Sequence, residues 1–281
     1  MTAITLALAC VWVAGCGVIG NEATGGVTRA KLDRAASTIT MPLDEYDISD
    51  DGFATISRAR ELAFSGCMAQ HGVADAGSPE ATVKEDRTYG LWIVERAKLY
   101  GFGLAPADQT STSSVGPSGV YRELDPAWVE ARTTCMRSLS SELDAFTPPD
   151  ELTTHPPSFE VRLEASNLAA KDPQWKKHRD EWWQCLRDAG LVPPANEEGW
   201  SSQQALDRPR GEAPAEKEEE IRIAVKEATC NESTALTQNL GDIEAGYQVG
   251  LIKARQAALN EQKSKNLEYV TKAETYLANH Q

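Results

Sequence analysis

The chain has 281 residues, with 42 acidic against 28 basic side chains and a net charge of −14. With no basic patch along the sequence, that balance argues against nucleic acid as a partner and against electrostatic adhesion to anionic lipid head groups. An apolar fraction of 41% is low but compatible with folded cores.

Ile4 to Val13 is an uncharged, mostly apolar run followed by small residues. Its length suits a signal-peptide core and falls short of the ~20 residues that span a bilayer. No Lys or Arg precedes it, so the α-amino group alone, or residues upstream of Met1, would supply the usual positive charge. Val13-Ala14-Gly15-Cys16 resembles the bacterial lipobox, in which a branched apolar residue and two small ones precede an invariant cysteine. The resemblance implies that residues 1–15 are a cleaved signal peptide. It also implies that the Cys16 thiol receives diacylglycerol, with acyl chains of the palmitate kind. The mature protein is then held by membrane lipid on the extracytoplasmic face of the cell membrane. Cys10 fits less well, because Leu8 stands where a small side chain is wanted.

Residues 16–52 are rich in Gly, Ala, Thr and Asp and lack apolar periodicity, which predicts a flexible tether. Within them Asp47, Ser49 and Asp51-Gly52 are spaced like the start of a calcium loop. The twelfth position is Arg58 instead of a bidentate Glu, so a solvated acidic stretch is the better account. From Phe53 the pattern turns helical. Ile56, Ala59, Ala63 and Met68 share a face, and Gly72 ends the helix. A second helix is expected over 79–100, with Leu91, Val94 and Leu99 inward. An exposed loop follows over 101–120, and a third helix opens at Asp125-Pro126 and carries Trp128, Ala131, Cys135 and Leu139.

Four prolines within 147–158 predict a linker between a first helical unit, 53–146, and a second, 159–281. The second unit opens with a helix from Phe159 to Ala170. Asp172-Pro173 caps the next, which ends at Gly190, and a proline-rich loop covers 191–214. From Ala215 onward there is no proline, and the pattern is helical to the end, with Gly241 the expected kink. Leu236, Leu240, Ile243, Tyr247, Leu251 and Ala254 form a heptad-like stripe. It serves either packing on its own domain or a protruding, partner-binding helix.

An internal repeat organises the chain. Cys67-Met68-Ala69-Gln70-His71-Gly72-Val73 matches Cys185-Leu186-Arg187-Asp188-Ala189-Gly190-Leu191. Each reads as a helix end with Gly at C′ and an apolar residue folding back. Each is followed by a loop and a helix bearing one cysteine, Cys135 or Cys230. An even number of cysteines in an oxidising compartment predicts two disulfides. Zinc fits poorly, since no two of the four are within a few residues of each other. Local pairing, Cys67–Cys135 and Cys185–Cys230, keeps each bridge inside one repeat. Crossed pairing would clamp the repeats face to face, and the symmetry allows it, but a proline linker divides the repeats and local pairing is expected to win. The fold class is therefore all-α, two disulfide-stapled helical units with a long C-terminal helix.

The lipobox, the paired-cysteine units and the Tyr100-Gly101-Phe102-Gly103 stretch resemble secreted lipoproteins of high-GC Gram-positive bacteria. The resemblance implies an envelope location and helical architecture, and it brings no established activity.

The chemistry-bearing residues are sparse. His71, His155, His178 and His280 fall in no metal-ligand spacing, and there is no serine elbow or phosphate loop. No catalytic residue, cofactor or metal ligand is assigned. His71, one residue before the helix-ending Gly72, suits a helix C-terminus. Trp182 and Trp183 are read as core beside a disulfide, or as a ligand or partner surface. Two functions remain. One is a non-enzymatic envelope lipoprotein binding a protein partner, a cell-wall polymer or a small ligand. The other is a cell-wall or surface hydrolase using carboxylates alone, which requires a pocket gathering two or more carboxylates of raised pKa.

Overall fold

The computed structural model describes residues 28–73, 85–104, 126–196, 199–208 and 213–280. The signal segment, Cys10, Cys16 and most of the 101–120 loop lie outside them. A short antiparallel hairpin comes first, β1 (Lys31–Asp33) and β2 (Thr38–Thr40), with Leu32 opposite Ile39. A 3₁₀ helix, Pro42–Tyr46, follows. The rest is helical: α1 (Asp50–Gln70), α2 (Val94–Tyr100), α3 (Pro126–Ser138), α4 (Ser140–Asp144) and α5 (Asp150–Thr153). Then come α6 (Pro157–Ala169), α7 (Pro173–Asp188), α8 (Gln203–Asp207), α9 (Pro214–Ser233) and α10 (Leu236–Asn279). No helix among the described residues is long and apolar enough to cross a membrane.

The spine of the molecule is α10, 44 residues long and so about 66 Å at 1.5 Å per residue. Three clusters succeed one another along it. Its first turns, at Leu236, Leu240 and Ala245, pack with Trp175, Trp182 and Leu186 of α7. Ile252 and Leu259 pack with Leu43, Tyr46 and Val161. Ala273, Tyr269 and Tyr276 pack with Ile56, Ala59 and Ala63 of α1 and with Phe146. The stripe from Leu236 thus serves the protein's own core.

Both bridges form as local pairs. Cys67–Cys135 and Cys185–Cys230 have Cα separations of 5.8 and 5.5 Å. The two helix ends match bond for bond. The Val73 N–H donates to Met68 O (3.1 Å) and Gly72 to Ala69 O (3.0 Å). Leu191 donates to Leu186 O (2.8 Å) and Gly190 to Arg187 O (2.9 Å). Gly72 and Gly190 sit at φ +71 and +77, the left-handed conformation this capping motif requires.

Several elements depart from the sequence reading. Residues 28–49, assigned to the tether, are folded. Side-chain amides of α10 hold their backbone. Gln248 Oε1 accepts from Leu43 N (3.1 Å), Gln262 Nε2 donates to Tyr46 O (3.1 Å), and Asn266 Nδ2 donates to the same carbonyl (3.0 Å). Ser49 caps α1 by accepting from Gly52 N, which is the use of that acidic stretch.

The expected helix over 79–100 begins only at Val94, residues 79–84 lying outside the described part. Gly90 turns at φ +85, where a Cβ would meet the Trp200 carbonyl at 3.0 Å. Tyr89, Leu91, Trp92 and Ile93 are buried ahead of the helix, while Leu99, expected inward, is 66% exposed. The segment packs on α9 through Leu91 and Ala97 against Ala224 and Ala228.

The proline-rich stretch holds α5 and the start of α6, because Pro157 occupies the first turn, where no donor is needed. In the C-terminal region the chain breaks at Ala235 (φ 51, ψ 34) and bends again at Arg255 (φ −120, ψ 20). Gly241 stays helical. Its missing Cβ admits Ala30, whose Cβ would lie 2.7 Å from one built there. The break at Ala235 is held by Asn231, whose Oδ1 accepts from Thr237 N (3.1 Å) and Oγ1 (2.9 Å).

Candidate functional site

A cleft of about 510 Å³ lies where the 3₁₀ helix meets the bend of α10, within the size range of small-ligand sites. Thr28, Pro42, Glu45 and Tyr46 form one wall, and Val249, Ile252, Lys253, Gln256, Asn260 and Lys263 the other. The bend at Arg255 is fixed from behind by its ion pair with Glu164 of α6. Gln256 Nε2 donates to the Tyr46 hydroxyl and to Asn260 Oδ1, both at 2.9 Å. Lys263 pairs with Glu45 Oε2 at 3.2 Å and lies 5.5 Å from the Tyr46 ring centroid. Burial raises the Tyr46 hydroxyl above its ordinary pKa, so it stays protonated. Lys253 is exposed and has no ion-pair partner among the described residues.

Beneath this wall Asp47 accepts from Ser158 Oγ (2.5 Å), Gln262 Nε2 (2.9 Å) and Arg162 (2.6 Å). Arg162 also reaches Asp44 at 3.3 Å. This network fixes the 3₁₀ helix onto α6 and α10. Of its members the sequence singles out Asp47 alone, as the first position of a calcium-loop spacing that fails at Arg58.

Trp182 and Trp183 are placed differently from each other. Trp182 is 1% exposed and packs against Trp200, centroids 6.1 Å apart. Tyr89 and Trp175 meet Trp200 edge-on at 5.9 and 6.2 Å. Trp182 is therefore core and cannot receive a ligand. Trp183 is partly buried, with the Arg179 guanidinium 5.3 Å from its ring. The same guanidinium lies 4.4 Å from Trp200 and donates to Gly199 O at 2.8 Å.

Carboxylates of raised pKa exist, and one of them, Asp44, is in the cleft's 3₁₀ helix without lining the cleft, raised by burial against the opposing Met41 N–H and Arg162. Burial pushes Glu244 up, and it accepts from the Tyr89 hydroxyl (2.8 Å) and from Gln248 (3.2 Å). Burial also pushes up Glu227, which accepts from Ser202 N at 2.6 Å while its Oε2 has no partner. Neither residue lines the cleft. Among the described residues that line it the one carboxylate, Glu45, is tied to Lys263. The arrangement can hydrogen-bond a polar ligand and offer it a cation, and it presents no acid–base pair.

Among the described residues, one group has metal-ligand chemistry. Ligand atoms of Cys67, His71 and Cys135 lie within 4.8 Å of one another, with the two sulfurs joined as the disulfide. Of the other histidines, His178 Nδ1 contacts Glu181 at 3.0 Å, His155 packs edge-on against Phe159, and His280 stacks on Tyr276.

Compared with known proteins, the chain matches no family model, no curated protein and no solved structure.

Proposed function

We propose that this chain is a lipid-anchored protein of the extracytoplasmic membrane face whose helical body binds an envelope partner or cell-wall ligand without transforming it. The observation that carries the reading is the pair of local disulfides, Cys67–Cys135 and Cys185–Cys230. Such bridges persist where the surroundings oxidise. The lipobox at Val13–Cys16 supplies the anchor. The roughly dozen residues from Cys16 to Thr28 reach at most about 40 Å when extended, and Thr28 is on the rim of the cleft. The cleft is thereby held close to the membrane, where a cell-wall polymer passes. Lys253, Gln256 and Asn260 suit a ligand rich in hydroxyl or acidic groups. Hydrolysis by carboxylates is the less supported reading, because the one carboxylate among the cleft's described lining residues is already paired.

The test is detergent-phase partitioning of protein expressed with its native leader. Cys16→Ala should abolish lipidation and release the protein or leave uncleaved precursor, while Cys10→Ala should change nothing. Unchanged partitioning of Cys16→Ala would overturn the anchor. Loss of sedimentation with purified cell wall in Lys253→Glu would support the cleft as the ligand site.

A further inference from the structure

We infer that Cys67, Cys135 and His71 form a redox-gated site for a soft divalent or monovalent metal, closed while the disulfide is intact and opened by its reduction. The inference does not depend on how the chain is anchored.

The geometry begins with α1. Cys67 and His71 are four residues apart at its C-terminal end, so their side chains share a face. Cys135 comes from α3, with its Cα 5.8 Å from that of Cys67. All three donor atoms lie within 4.8 Å of one another. A tetrahedral zinc-type ion with bonds of about 2.3 Å to sulfur and about 2.0 Å to nitrogen places its ligands roughly 3.5–3.8 Å apart. Small rotamer changes after S–S cleavage reach that arrangement without moving either helix. Cys135 is buried, Cys67 half-buried and His71 exposed, so a fourth position faces solvent.

The second repeat supplies the contrast. Its bridge has the same local structure, down to a serine hydroxyl beside the sulfur: Ser138 at 3.9 Å from Cys67 Sγ and Ser233 at 3.8 Å from Cys185 Sγ. The position of His71 is there held by Ala189, which offers no ligand. Lys226, four residues before Cys230, donates to the Ala189 carbonyl at 2.6 Å and brings a cation to that end. The corresponding residue of the first repeat is the buried Ala131. One of two like disulfides therefore carries a third donor and lacks the opposing charge.

The chemistry balances with an external dithiol. Its two thiols become a disulfide, and the Cys67–Cys135 bond takes up the two electrons and two protons to give two thiols. Metal binding then displaces those two protons, leaving two thiolates and a neutral imidazole as ligands. The first unit keeps its place on α10 through Ile56, Ala59 and Ala63, which are independent of the bridge.

The test uses the full mature chain, reduced with a phosphine under anaerobic conditions and titrated with Co²⁺, with far-UV circular dichroism in parallel. The expected result is one Co²⁺ per chain with thiolate charge-transfer absorption, absent before reduction. The same band should persist in Cys185→Ser/Cys230→Ser. His71→Ala should weaken binding at least about tenfold, and His71→Cys should recover it. Three outcomes would overturn the inference: no thiolate band, equal affinity in His71→Ala, or a reduced chain that loses its helicity and does not regain it with metal.

Discussion

Replacing Gly241 by Ala sets two effects of opposite sign against each other. Within α10 the change should help, since Ala is favoured over Gly by about 1 kcal/mol in a helix interior. The packing opposes it. A Cβ at 241 would lie 2.7 Å from Ala30 Cβ and 3.7 Å from Tyr89 Cε2. Ala30 cannot swing aside, because its Cβ moves only with the backbone. That backbone is bonded on both sides, with Ala30 N donating to Asp242 Oδ1 (3.2 Å) and Gln238 Nε2 donating to Ala30 O (3.0 Å). Overpacking of this kind costs about 1–3 kcal/mol, and weakening the two hydrogen bonds adds about 1 kcal/mol each. The net expectation is a loss of about 2–4 kcal/mol, read as a lower urea midpoint with unchanged slope under non-reducing conditions. The double variant Ala30→Gly/Gly241→Ala removes the clash and should recover most of the loss. A Gly241→Ala protein more stable than wild type, by the propensity difference alone, would refute the close approach of the N-terminal segment to α10.

Cys185→Ser/Cys230→Ser should lower stability by about 4 kcal/mol by the chain-entropy account, its loop spanning a separation of 45 residues; a loss under about 1 kcal/mol would argue that the second unit does not depend on its staple. Glu227 titrates above its ordinary value of 4.5 because it is buried, so its contribution is complete below pH 4.5 and is lost as pH rises through the elevated folded pKa. Glu227→Gln should therefore lose less stability than wild type between mildly acidic and alkaline pH, and parallel profiles of denaturation midpoint against pH would contradict this. Trp182→Ala should cost about 3–5 kcal/mol as a core deletion; Trp183→Ala, at a partly buried position, should cost clearly less, and equal costs would argue against the placement of the two rings.

The features legible in the sequence are those fixed by near neighbours. Gly72 and Gly190 announced their helix ends, Pro126 and Asp172-Pro173 their helix starts, and the repeat of cysteines announced the bridges. Each follows from the chemistry of a few consecutive residues. What was not legible depends on partners far along the chain. Residues 28–49 show no periodicity because their backbone is satisfied by Gln248, Gln262 and Asn266 on α10. Those amides are buried on α10, at positions where an apolar stripe would place hydrophobic side chains. The cleft was hidden for the same reason, since Gln256 and Tyr46 are 210 residues apart in sequence. Gly241 misled because its cost in a helix was visible and its neighbour Ala30 was not.

The repeat runs deeper than the cysteine spacing. Cys135-Met136-Arg137-Ser138 and Cys230-Asn231-Glu232-Ser233 both end their helices at the serine, whose hydroxyl returns to the cysteine carbonyl at 3.3 and 3.2 Å. Helices α1 and α3 thus correspond to α7 and α9. After them the two copies diverge. The first continues into the short α4, while the second turns at Ala235 into α10. That single long helix then does two jobs. Its first turns complete the second unit, and its last turns form the floor beneath α1.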